Sequence, residues 1–138
     1  IGTVSGSSLG AAGLLEAQSD LAGNNALGGQ LAYVTTPTVA ALLMARHRVA
    51  STFSPVWEGN LSDGQVLGVP AFSTAQVPAS TLVLGAWDRM LLADWGVLEL
   101  MRDPYTAFRT GHVSMRAWFY CDIGIMNPGT FTVASSVT

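Results

Sequence analysis

The stretch Val113-Ser114-Met115-Arg116-Ala117-Trp118-Phe119-Tyr120-Cys121-Asp122-Ile123-Gly124-Ile125 carries an apolar side chain at every odd position, while Ser114, Arg116, Trp118, Tyr120 and Asp122 fall on even ones. Successive side chains point to opposite faces of a strand, so this spacing predicts a β-strand, and one well beyond the usual length of ~5–6 residues. Just upstream, residues 97–102 read as a second strand. Residues 103–111, with Pro104 and Gly111, join the two as a hairpin. Such a hairpin reaches beyond a compact domain and needs another surface to lie on.

Working back from the hairpin, residues 90–93 and 81–84 read as further short strands. Residues 66–73 form a strand interrupted by Pro70, which predicts an edge strand or a bulge, because proline cannot donate to a ladder. Residues 51–64, with Pro55, Gly59 and Asp63-Gly64, read as loop, and Trp57 within them is expected to pack on the core or a neighbour. The best-signalled helix opens with Thr36 as N-cap and Pro37 at its first position, and sets Val39, Leu42 and Leu43 on one face. Arg46 and Arg48 are expected in its last turn, where cations complement the dipole. A strand over residues 31–34 precedes it. An N-terminal helix capped by Ser7 or Ser8 is expected to run to about Leu21, burying Leu14, Ala17 and Leu21, with Gly23 ending it. Beyond the hairpin, residues 131–133 make a last short strand before a Ser/Thr tail.

Charged residues are 11% of the chain, against about 25% in an average domain. So few charges leave an ordinary monomer surface uncovered. Every apolar run is broken well short of the ~18 residues a spanning helix needs, so burial against other protein, meaning self-association, is the expectation. The net charge is −3 and no basic cluster exceeds Arg46-His47-Arg48, which gives phosphate-backbone binding no support. All basic residues are arginine. The chain therefore supplies no lysine for a Schiff base, a phosphate cradle or a crosslink. Cys121 is the only cysteine and no Cys/His spacing suits zinc, which suggests an intracellular, metal-free protein. The chain opens with Ile1 and without a signal-peptide profile, so it reads as part of a longer product.

The sharpest catalytic lure is Gly6-Ser7-Ser8-Leu9-Gly10, a G-x-S-x-G pattern followed by Asp88 or Asp94 and then His112 in hydrolase order. A nucleophile elbow needs a buried strand before it, and Ile1-Gly2-Thr3-Val4-Ser5 is a poor core strand. A helix cap explains the serines more simply. Nothing in the spacing converges Asp88, Asp94 and Glu99, His47 and His112 read as structural, and the sequon Asn60-Leu61-Ser62 is a short pattern frequent by chance.

Several motifs follow one another along the chain: Thr35-Thr36-Pro37 with Val39-Ala40-Ala41-Leu42-Leu43, then Leu67-Gly68-Val69-Pro70-Ala71 with Val77-Pro78, then Leu82-Val83-Leu84-Gly85 with Ala86-Trp87-Asp88. Phe108, Val113-Ser114-Met115-Arg116-Ala117, Asp122, Asn127-Pro128 and Phe131-Thr132-Val133 close the series. In this order they resemble the C-terminal half of tailed-bacteriophage major capsid proteins of the Hong Kong 97-type fold, although Ala86 replaces the family's usual Asp.

The resemblance implies an α+β fold. Residues 1–94 and 124–138 would form an axial-type domain, a mixed β-sheet flanked by helices, and residues 95–123 an extended hairpin of the peripheral domain. The family's N-terminal arm, extended loop and spine helix are not in this sequence. The implied function is a major capsid subunit that self-assembles into the icosahedral head around a phage or prophage genome. Its partners would be copies of itself in pentamers and hexamers, together with portal, scaffold or maturation protease. DNA would be enclosed without sequence-specific binding, no membrane would be involved, and no cofactor, metal or catalytic residue is implied. The implied location is the virion capsid, made in the bacterial host cytoplasm. Trp57, Pro104, Tyr105, Phe108, Arg109 and Trp118 are the candidate subunit-interface residues, because Trp, Tyr and Arg dominate interface energetics. Two alternatives stand beside this reading: an encapsulin-type compartment subunit and, from another class, a small serine hydrolase using Ser8.

Overall fold

The computed structural model describes residues 1–7, 9–49 and 54–138, with the side chain of residue 108 excepted. Two compact units emerge, one of Ile1–Arg89 with Met126–Thr138 and one of Met90–Ile125.

The larger unit is a seven-stranded sheet ordered β1-β9-β6-β2-β5-β4-β3. Its strands are β1 (Gly2–Ser5), β2 (Leu31–Thr35), β3 (Trp57–Gly59), β4 (Asp63–Val66), β5 (Val69–Ser73), β6 (Leu82–Ala86) and β9 (Phe131–Ser135). β1/β9 and β2/β5 run parallel and the other neighbours antiparallel, so the sheet is mixed. Two helices, α1 (Ala11–Gly23) and α2 (Pro37–Ala45), bury Leu14, Ala17 and Leu21 and Val39, Ala40 and Leu43 respectively. These residues join one continuous core with Tyr33, Ala71, Leu82 and Leu84. Cross-strand partners share a face, so the alternate residues Val34, Phe72, Val83 and Val133 lie on the other face.

Several expectations need correction. Ser7 does not cap α1, whose N-cap is Gly10, and Ser8 lies outside the described residues. The segment before α1 is instead pressed onto the C-terminal end: the Gly6 carbonyl accepts from the Leu9 and Thr138 amides. A Cβ on Gly6 would sit 2.2 Å from the Ser135 carbonyl oxygen. Residues 2–5 are a strand after all. At the sheet edge, pairing only with β9 and burying only Val4, β1 needs no apolar run.

α2 stops at Ala45, so Arg46 and Arg48 do not occupy its last turn. Arg46 donates to the Leu9 and Thr138 carbonyls, tying the α1 entry to the end of the chain, and Arg48 pairs with Glu58 at 3.1 Å. Within the stretch read as loop, β3 and β4 form a hairpin; residues 51–53 lie outside the described residues. Pro70 sits on an interior strand. Val66 and Val69 flank a two-residue turn with positive φ at Leu67 and Gly68, the geometry of a type I′ hairpin. The Pro70 nitrogen therefore faces β2, whose pairing with β5 begins only at Ala71, so the missing N–H disrupts no ladder bond.

In the smaller unit, residues 90–93 and 97–102 merge into one strand, β7 (Met90–Asp103), paired with β8 (Ser114–Ile125). The hairpin starts at Met90, earlier than the expected residue 95.

Candidate assembly surface

Cross-strand register sorts the hairpin into two faces. Met90/Ile125, Leu92/Ile123, Asp94/Cys121, Leu100/Ala117 and Arg102/Met115 share one, which is mostly aliphatic. Trp95/Tyr120, Glu99/Trp118 and Met101/Arg116 share the other, which is aromatic and charged. Every residue of β8 is exposed, as is nearly all of β7. The alternation in residues 113–125 thus marks two faces of different chemistry, and neither is buried within its own unit. Exposed apolar surface of this extent is the mark of a protein interface.

Between Trp95 and Glu99, β7 advances four residues while β8 moves two, from Tyr120 to Trp118. An even insertion leaves the face assignment unchanged on both sides of the bulge. Gly96 takes φ +90 there, and Val97 projects 81% exposed. On the aromatic face the Arg116 guanidinium lies 3.8 Å from the Trp118 ring centre, and Trp118 and Tyr120 are 6.4 Å apart. The arginine so placed lies over one side of the indole as a cation–π contact.

The tip is held by Asp103. Its carboxylate accepts from the Tyr105 amide at 2.8 Å, the Thr106 amide at 3.2 Å and the Thr106 hydroxyl. These bonds, the Thr106 hydroxyl first, hold its carboxyl below the usual range. The turn presents Tyr105 at 84% exposure. Pro104 is half-exposed beside it, and Arg109 is exposed in a 3-10 turn over Phe108–Thr110. The Phe108 side chain lies outside the described residues. Of the expected interface residues, Pro104, Tyr105, Arg109 and Trp118 are thus accessible. Trp57 is not: it is 1% exposed in its own core, with its indole N–H donating to the Asn60 carbonyl at 2.8 Å. Sequence reasoning passed over Trp95 and Tyr120, although strand parity on β8 already put Tyr120 beside Trp118.

Of the catalytic lures, Ser8 lies outside the described residues. Asp94 and Glu99 lie on opposite hairpin faces, and Asp88 pairs with Arg89 at 3.7 Å. Among the described residues no three His, Cys, Asp or Glu side chains cluster as metal ligands, and no helix is long and apolar enough to cross a membrane. His47 bridges to Pro55 through a short β-bridge. Cys121 is a free, exposed thiol.

Against known proteins, the sequence model of the phage capsid family matches residues 4–135. The chain belongs to the phage capsid family. It is 31% identical over 85 residues to the major capsid protein of Halomonas phage phiHAP-1, an alignment covering 62% of this chain and 14% of that protein. Its fold matches a chain of Gordonia phage Cozz with TM-score 0.68 and 16% identity, over 97% of this chain and 49% of the other. It matches the capsid of an empty GTA particle with TM-score 0.66 and 18% identity, over 97% and 47%. A virus-like particle from Pyrococcus furiosus shares the fold with TM-score 0.57 and 16% identity, over 89% and 50%. The chain spans about half the length of these solved relatives. The α+β architecture, a mixed sheet with two helices, is the capsid fold the motifs implied.

Proposed function

We propose that this chain is the C-terminal part of a major capsid subunit whose role is symmetric self-assembly into an icosahedral shell around a phage or prophage genome, with no catalytic step. The observation that carries this reading is the β7–β8 hairpin, mostly aliphatic on one face, aromatic and charged on the other, and exposed along its length. The larger unit is then the axial-type domain, and the hairpin belongs to a peripheral domain whose tip meets neighbouring capsomers. Copies of itself in pentamers and hexamers are the partners, joined by portal, scaffold or maturation protease. The virion is the destination after synthesis in the host cytoplasm.

The test is negative-stain electron microscopy of the complete gene product expressed alone. Closed shells or capsomer rings are expected, and a small monodisperse particle at high concentration counts against the reading. Arg109→Ala is expected to keep the circular-dichroism spectrum and impair assembly; normal shells would remove the hairpin tip from the interface. Treatment with a serine-reactive fluorophosphonate is expected to leave the protein unlabelled, whereas labelling would revive the hydrolase alternative. The encapsulin-type alternative shares this fold, and a parent gene beside portal and terminase genes favours the phage reading.

A further inference from the structure

The mostly aliphatic face of the hairpin carries two charges, Asp94 toward the base and Arg102 toward the tip, both exposed. Their cross-strand partners, Cys121 and Met115, are six positions apart on β8, about 20 Å at ~3.3 Å per residue, so the two charges are too far apart to pair with one another. Neither belongs to the ion pairs found among the described residues, Arg48–Glu58 and Arg89–Asp88. Between them lie Phe119, Leu100 and Ala117, with Phe119 55% and Leu100 64% exposed. One charge of each sign thus flanks an apolar middle, and the strands of this face hold no other charged residue. The aromatic face is not balanced in this way. It sets Glu99, Asp103 and Asp122 against Arg116 alone, and Arg116 is already engaged over Trp118.

We propose that the aliphatic hairpin face docks on the same face of a second copy of this chain, the two hairpins running antiparallel about a twofold axis. This contact rests on the self-assembly reading above and specifies one of its interfaces. Antiparallel stacking sets Asp94 of each copy against Arg102 of the other, so one symmetric contact answers both charges. Parallel stacking would set like charge on like. The axis passes midway between the Cys121 and Met115 levels, which lays Phe119 of each copy over Leu100 and Ala117 of the other. Beyond the charges, Leu92 and Ile123 face the second copy's turn around Val113, itself 50% exposed. Any other occupant would have to bring two opposite charges at the same spacing and in the reverse order. A second copy supplies them by symmetry.

The 12 residues of β8 at ~3.3 Å each, across two strands ~4.8 Å apart, give roughly 400 Å² per copy, and the sum for two lies below the ~1,200 Å² of a stable pair. The contact therefore forms between copies already held in a shell or ring, where their effective concentration is high, and not between two free subunits.

The experiment is a charge exchange in the complete gene product: Asp94→Arg and Arg102→Asp, singly and together, with assembly read by negative-stain electron microscopy and folding by circular dichroism. Each single variant sets like charges against each other across the axis and is expected to lose most of its particles while keeping its spectrum. The double variant swaps the charges, restores the antiparallel match and is expected to regain the wild-type particle yield. Normal assembly by either single variant would overturn the proposal. So would a double variant that stays impaired, because each charge would then answer a different partner, such as another segment of the gene product. A second measurement leaves both charges in place. Met115→Cys adds a thiol that lies far from Cys121 within one hairpin and faces it across the axis. A short bismaleimide applied to assembled particles is expected to yield dimers and nothing larger on a denaturing gel, with none from the wild type or from Met115→Cys with Cys121→Ser. A ladder of multimers, dimers from either control, or intact particles without dimers would overturn the contact and leave self-assembly standing. Failure of the wild-type protein to form particles or rings would remove both.

Discussion

Single side chains at two places show how tightly the larger unit is specified. A Cβ on Gly85 would lie 2.1 Å from the Phe131 ring, which is itself held against Trp87. Gly85→Ala is therefore expected to cost about 1–3 kcal/mol through overpacking, read as a lowered urea midpoint with an unchanged slope. Tyr33 is fully buried, with its hydroxyl donating to the Leu14 carbonyl at 3.4 Å and accepting from the Gln18 amide at 3.2 Å. Burial pushes its pKa up from 10.0 to about 12, against the smaller opposing effect of Gln18. The folded state then holds this proton more tightly than the unfolded state does. Its contribution is fully present below pH 10 and is lost as pH rises toward about 12. Tyr33→Phe is expected to flatten that alkaline decline, while costing about 0.5–1.5 kcal/mol at neutral pH, both read from denaturant midpoints across a pH series.

At the scale of elements, the hairpin and the sheet follow different rules. In the sheet, strand alternation separates a helix-covered face from a half-open one. In the hairpin, the same alternation separates aliphatic from aromatic surface with water on both sides. The tip of the hairpin depends on Asp103, whose carboxylate gathers two amides and a hydroxyl. Asp103→Ala is expected to speed hydrogen exchange at Tyr105 and Thr106 while leaving the rest of β7 and β8 unchanged. Because its folded pKa is lowered, the ordering it provides is present above the ordinary carboxylate range and is lost as pH falls through the lowered value. Acidification should therefore reproduce the variant's exchange pattern at the tip. Unchanged exchange in both cases would mean that the turn is held by its backbone alone.

For the whole molecule, the division into two units carries its own consequence. The Arg89 carbonyl accepts from the Met126 amide at 3.1 Å, so the chain leaves and re-enters the larger unit at one point. Replacing Met90–Ile125 with an Asn-Gly turn is expected to leave a protein that melts cooperatively, because the core cluster contains no hairpin residue. Loss of the cooperative transition would show that the hairpin is needed for folding as well as for assembly. A peptide of residues 90–125 alone is expected to lack stable structure, since an isolated two-stranded hairpin is marginal in water.

Much of this was legible in the residues themselves. Pro37 opened α2 behind Thr36, which takes the N-cap position without a side-chain capping bond, Leu14, Ala17 and Leu21 formed the buried stripe of α1, and residues 113–125 declared a long strand, because a fixed φ and periodicity act within a few residues. The ordered motifs carried the family. What the sequence could not decide was which partner each segment would find. The weak strand at residues 2–5 exists because β9, distant in sequence, lies beside it, and Arg46 is spent on the Leu9 and Thr138 carbonyls instead of on its own helix end. Trp57, an interface candidate by composition, was claimed by the core, while Trp95 and Tyr120 were left on the surface. Local propensity is written in short spacings; burial is set by chain segments far apart in sequence, and only tertiary packing brings those together.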